Sequence, residues 1–191
     1  MGGAKYLCLM MDDHSGFVLG TYLKRKSDLQ EKGIEMIQIF ENDFNLKVKK
    51  IRCDNAGENQ TMEKECVRRK MGVTFEYTAV GMPQQNGRIE RKFATLYGRV
   101  RAMFAAAGIS GSLRKQLWAE AVNTAIDLNN VTVNRQDGKT PYEVISGDVT
   151  FPRYSKRLHR FGEIGVILNK RGQLKSKMLD RGTVAIMVGY H

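Results

Sequence analysis

Cysteine, histidine and proline are all scarce in this chain, three of each in 191 residues. The three cysteines, Cys8, Cys53 and Cys66, are odd in number and show no C-x-x-C spacing. That excludes a disulfide framework and a zinc knuckle, and it predicts a reduced protein of the nucleus or cytoplasm. His14, His159 and His191 are scattered, so no His-based zinc set forms from sequence neighbours. The apolar run "YLCLMM" is far too short to cross a bilayer, and no basic stretch precedes it, so no membrane partner is expected. Tyr6 stands where a myristoylation signal needs Ser or Thr. The sequons at Asn59 and Asn130 carry little weight without a secretory signal. Repeats and low-complexity segments are absent.

Acid is the other shortage. Lys and Arg number 31 against 20 Asp and Glu, a formal net charge of +11. Residues 150–191 hold nine of the cations against only Glu163 and Asp180. A polyanion such as nucleic acid is the natural partner of that surface, with plain solubility as the alternative reading. Hydrophobic residues make up 42% of the chain, enough for a real core and too many for a disordered one. The length predicts one domain with an appendage. We place the core at 1–150 and a basic extension of loops and short strands at 151–191.

Residues 5–12 and 17–24 are apolar and β-forming around "DHSG", which predicts a hairpin. Ser27 with Gln30 reads as a capping box opening a helix over 28–44, with Leu29, Met36, Ile37, Phe40 and Phe44 on one face. "KVKKIRC" (47–53) predicts a strand ending at Asp54. A helix follows over 60–71, closed by Gly72, and then a strand over 73–78. Residues 79–87 form a loop. Ile89, Phe93, Leu96, Val100, Met103 and Phe104 predict a long amphipathic helix over 88–107, ended by Gly108. Another helix covers 113–129 with Trp118 on its inner stripe, and Pro141 starts a short turn of helix. Strands alternating with helices predict an α/β sheet flanked by helices, with chemistry near the strand ends.

Two acids stand out. Asp54 ends a strand in "DNAGEN", and Glu90 lies at the start of the long helix in "PQQNGRIERK". Each has a plain explanation, a turn residue and a helix-dipole partner respectively. Together they can converge on one divalent cation, since Mg²⁺ takes a few carboxylates and keeps waters that phosphate oxygens replace. Arg88, Arg91 and Lys92 would then bind a phosphodiester backbone. Gln84, Gln85 and Asn86, in the amide-rich loop, could close over the nucleic acid.

"IRCDNAGEN", "PQQNGRIERK", "LWAEAVNTA", "VNRQDGKTPYEV" and "GTVAIMVGY", in that order, resemble the integrase catalytic core of copia-type LTR retrotransposons. Thirty-five residues separate Asp54 from Glu90, the separation expected for the last two acids of an Asp, Asp, Glu triad. The resemblance implies a ribonuclease H-like mixed sheet and metal-dependent DNA end-processing and strand transfer. It further implies Mg²⁺ or Mn²⁺ as cofactor, DNA as partner, and a homo-oligomer. Asp54 and Glu90 would be catalytic and metal-holding.

The chain departs from the pattern in three places. Asn55-Ala56-Gly57-Glu58-Asn59 stands where the family has Asn-Gly-Gly-Glu-Phe, and Asp13-His14-Ser15-Gly16 stands for Asp-Tyr-Ser-Arg. "DDHS" matches the end of the family's second strand, so Asp12 and Asp13 are expected as turn residues. The first catalytic Asp and its central strand are expected upstream of Met1. That leaves two sheet edges facing each other, with the basic tail as the only spare β-forming material. The alternative reading is a non-catalytic remnant that binds DNA or RNA by charge.

Overall fold

The computed structural model describes residues 3–78, 86–133, 137–147, 158–168 and 181–190. Strands β1 (Tyr6–Met11) and β2 (Val18–Leu23) form an antiparallel hairpin in which Met11 faces Val18. Helix α1 (Leu29–Asp43) follows, then β3 (Lys50–Cys53), α2 (Gly57–Arg68) and β4 (Thr74–Tyr77). Strand β4 pairs parallel with β3, Cys53 facing Tyr77. Two long helices, α3 (Gly87–Ala106) and α4 (Gly111–Val131), pack on each other, and the short α5 (Pro141–Ser146) follows. Strands β5 (Ile164–Leu168) and β6 (Gly182–Ile186) form a second antiparallel pair.

Among the described residues the strands make three separate two-stranded sheets. Neither β1 nor β3 has a second strand neighbour, and β5 and β6 pair with each other and not with either of them. Among the described residues the expected gap in the sheet is present, and β5 and β6 do not fill it. The expected boundary at 150/151 falls outside the described residues.

The core has two main parts. One joins Val18 of β2 to Leu96, Val100 and Phe104 of α3 and to Ala121, Val122, Ala125 and Ile126 of α4. Trp118 packs at its edge and meets Tyr22 edge-on at 5.7 Å, so its ring lines the core without being enclosed. The other part joins Ile34 and Ile37 of α1 to Met62 and Cys66 of α2 and Phe75 of β4. Met10 of β1 borders this second part, which links the hairpin to the β3–β4 pair through side chains in place of a strand ladder. Gly33 lets α1 and α2 close up, because a Cβ there would sit 2.5 Å from the Met62 sulfur.

Element ends differ from the sequence expectation where a local bond overrides the motif. Ser27 does not cap α1. Residues Lys26–Asp28 form a 3₁₀ turn, and Asp28 Oδ2 accepts from the backbone N–H groups of Arg25 at 2.9 Å and Lys24 at 3.2 Å. Helix α2 runs from Gly57 to Arg68, three residues earlier than expected at each end. Lys70 takes the left-handed conformation just after it, ahead of Gly72. Glu65 of α2 accepts from Arg68 and Arg69, which hold its carboxyl down at about 2. Arg69 also reaches Glu31 of α1 with two bonds of 2.8 Å. At α5 the Thr140 and Glu143 side chains cap each other's backbone N–H groups, a pattern legible in "TPYE" that the expectation based on Pro141 alone missed.

The β5–β6 pair carries an apolar face. The register sets Ile164 opposite Ile186 and Val166 opposite Val184, and these four residues are 48–73% exposed. At its base, Phe161 enters the first core and Tyr190 bonds the backbone of His159.

Candidate functional site

Asp54 follows directly on β3, and its carboxylate is exposed at the strand's C-terminal end. Its conformation is fixed locally. Oδ1 accepts from the Asn59 amide at 2.7 Å and from the Ala56 N–H at 3.3 Å, while the Asn59 amide also reaches the Asp54 carbonyl at 3.1 Å. Asn59, which stands where the resembling pattern has an aromatic, is thus the residue that orients Asp54. Beside it, burial pushes the Cys53 thiol up to about 11, with the Asp54 charge adding to the effect.

Glu90 lies in the first turn of α3, exposed, one turn after the N-cap residue Asn86. The Asn86 carbonyl accepts from the Glu90 N–H at 3.2 Å, and the Asn86 side chain makes no capping bond. Gln84 and Gln85 lie outside the described residues.

Two connections pin this turn of α3 to the hairpin. Arg88 Nη1 donates to the Asp13 carbonyl at 2.8 Å and pairs with the Asp13 carboxylate. Lys92 Nζ donates to Asn129 Oδ1 at 3.1 Å, and Asn129 donates in turn to Asn130 Oδ1 at 3.2 Å. Asn130 then brackets Val18, accepting from its N–H at 3.0 Å and donating to its carbonyl at 2.8 Å. A buried asparagine amide can only be kept by such full pairing. The sequence signal for it was the polar pair "NN" inside the otherwise apolar stripe of α4, which went unread.

The three cations around Glu90 therefore differ. Lys92 is half-buried, and burial lowers its pKa, with repulsion from Arg99 and Arg88 adding to it. It serves the α3–α4 contact. Arg88 is partnered by Asp13 and still about half exposed. Arg91 is exposed and lies across Gly87, where an added Cβ would come within 3.2 Å of its guanidinium.

Asp12 has a structural task. Its Oδ2 accepts from the Ser15 N–H at 2.7 Å and the Ser15 hydroxyl at 2.6 Å, closing the hairpin turn. The chemistry of Asp54 and Glu90, two hard oxygen donors, suits Mg²⁺ or Mn²⁺. The described residues contain no group of three or more His, Cys, Asp or Glu placed to hold a metal, and Asp54 and Glu90 share no hydrogen-bond partner. The two carboxylates match such an ion in donor type, and among the described residues they belong to no larger group of metal-ligating side chains. No described helix is long and apolar enough to cross a membrane.

No family model matches the chain. It is 35% identical over 130 residues to the retrovirus-related Pol polyprotein from transposon TNT 1-94 of Nicotiana tabacum, a match covering 68% of this chain and 10% of that protein. The chain thus spans about a tenth of the length of this curated relative. In structure it is similar to a chain of the simian T-cell lymphotropic virus intasome, with a TM-score of 0.61 and 18% identity, covering 94% of this chain and 62% of that one. It is similar also to the HTLV-2 integrase catalytic core domain, solved in complex with magnesium, with a TM-score of 0.53 and 18% identity over 73% of this chain and 83% of that one. The catalytic core domain of BIV integrase matches with a TM-score of 0.52 and 21% identity over 73% and 84% of the two chains. The chain has the ribonuclease H-like fold of integrase catalytic cores, and its sequence is similar to a part of a retrotransposon Pol polyprotein.

Proposed function

We propose that this chain is the DNA-binding and metal-holding part of a copia-type integrase core, the enzyme activity of which is DNA end-processing and strand transfer. The observation that carries the reading is the pair Asp54 and Glu90, set at the end of β3 and in the first turn of α3 within an integrase-core fold. The HTLV-2 core was solved with magnesium, which supports the same ion class here. Asp54 and Glu90 would hold it, and it would supply charge stabilisation at a phosphodiester. Asn59 keeps the Asp54 carboxylate oriented, and the Asn129–Asn130 relay keeps the Glu90 turn against the hairpin. Arg88 and Arg91 supply phosphate contacts. The relatives solved as an intasome and as dimeric and trimeric forms support a homo-oligomeric working state.

Among the described residues no third carboxylate is grouped with the pair, and Asp12 closes its own turn. Two-metal chemistry needs both ions clamped at once, so the chain alone binds DNA without joining its ends. Duplex binding should be salt-dependent and nearly sequence-independent. If about six phosphates are neutralised, log K falls against log[salt] with a slope of about −5. An affinity that does not respond to salt would contradict the reading.

A further inference from the structure

We propose that Asp13 occupies Arg88 as a phosphate would, so that a polyanion binds at the start of α3 by displacing an internal carboxylate. The inference rests on the nucleic-acid reading above and adds a residue that restrains it. An arginine fork matches a carboxylate and a phosphate in the same planar geometry. Asp13 presents Arg88 with its carboxylate and its backbone carbonyl together, the latter at 2.8 Å. Both side chains are open to water, Arg88 at 54% and Asp13 at 75% exposure. A pair so exposed is weak, worth less than about fivefold in an equilibrium, and nothing buries it against an incoming ligand.

The neighbours make Arg88 the hinge of the matter. Lys92 is committed inward to Asn129, and Arg91 lies over Gly87. Arg88 is the cation of this turn whose described partner is a solvated side chain that can be exchanged. The exchange breaks the Asp13–Arg88 ion pair and forms a phosphate–Arg88 pair in its place. Asp13 returns to water at the tip of the hairpin turn, which Asp12 and Ser15 hold closed without it. The hairpin therefore survives the exchange.

The test is a double-mutant cycle by fluorescence anisotropy on a short labelled duplex, with the parent chain, Asp13→Ala, Arg88→Ala and both together. Asp13→Ala should tighten binding about two- to fivefold. Arg88→Ala should weaken binding, and adding Asp13→Ala to it should change little. An unchanged affinity in Asp13→Ala, or an equal gain with and without Arg88, overturns the proposal, the second showing that only net charge was altered. If none of the chains binds duplex, the nucleic-acid reading fails by itself. The exchange is then decided by NMR of the Arg88 guanidinium titrated with inorganic pyrophosphate. Signals that move at lower pyrophosphate in Asp13→Ala than in the parent support it, and signals that move alike or not at all overturn it.

Discussion

The Asn59 amide nitrogen lies 2.7 Å from Asp54 Oδ1 and donates to it, with a second bond of 3.1 Å to the Asp54 carbonyl. A residue of α2 thereby fixes the acid that ends β3. In the resembling family pattern this position is aromatic, so an apolar packing group has given way to a polar tether. Asn59→Ala should lower stability by about 0.5–1.5 kcal/mol, the net value of an ordinary hydrogen bond. Urea unfolding of the two chains measures it, and equal midpoints with equal slopes would show that the tether holds nothing.

Gly20 sets how closely β2 lies under α4. A Cβ at this position would sit 2.4 Å from Ile126 Cδ1 and 3.5 Å from Leu9 Cδ2. Gly20→Ala should therefore cost about 1–3 kcal/mol by overpacking. Pairing it with Ile126→Val removes the obstructing methyl, so the double variant should recover part of the loss. Thermal unfolding of the single and double variants checks both halves.

Asp127 of α4 gives the protein a pH dependence that runs against the usual acid sensitivity. Burial raises its carboxyl from 3.8 to about 7, although the Asn123 amide donates to it at 3.1 Å. The folded state thus holds a proton that the unfolded state releases near pH 4. The stability this gives is present in full below pH 4 and is lost as pH rises through about 7. Asp127→Asn should leave stability near pH 3 almost unchanged and raise it at pH 8 by on the order of 1–3 kcal/mol. Midpoints that fall equally with pH in both chains would contradict the assignment.

Much of this was legible in the sequence, and the omissions have physical causes. The period of α3 identified its buried side because Leu96, Val100 and Phe104 recur at helical spacing. The hairpin and the strand ending at Cys53 were readable from β-forming runs with turn residues between them. The end of α3 at Gly108 was readable because its φ of +62° suits glycine. Bonds between distant residues were not readable. Arg88 with Asp13 is 75 positions apart and Asn130 with Val18 is 112, and no local pattern tells which distant residue is the partner. Lys92 was legible as a cation, while its partial burial and its bond to Asn129 were not, because charge is visible in a sequence and burial is not. Ser27 lost its capping role because Asp28, one residue on, already satisfied the backbone N–H groups of Lys24 and Arg25.

Strand transfer on a labelled DNA end with Mn²⁺ tests the central claim, that Asp54 and Glu90 form part of a site which needs one more carboxylate. The comparison is between this chain, its Asp54→Asn variant, and a version extended upstream by a family-like strand carrying one aspartate. The extended chain should give product, and Asp54→Asn within it should reduce that product by at least about a hundredfold, since each factor of ten corresponds to ~1.4 kcal/mol of transition-state stabilisation. The 191-residue chain should bind the same DNA and give none. Product from the 191-residue chain that Asp54→Asn abolishes would contradict the account and would make Asp12 or Asp13 the third acid.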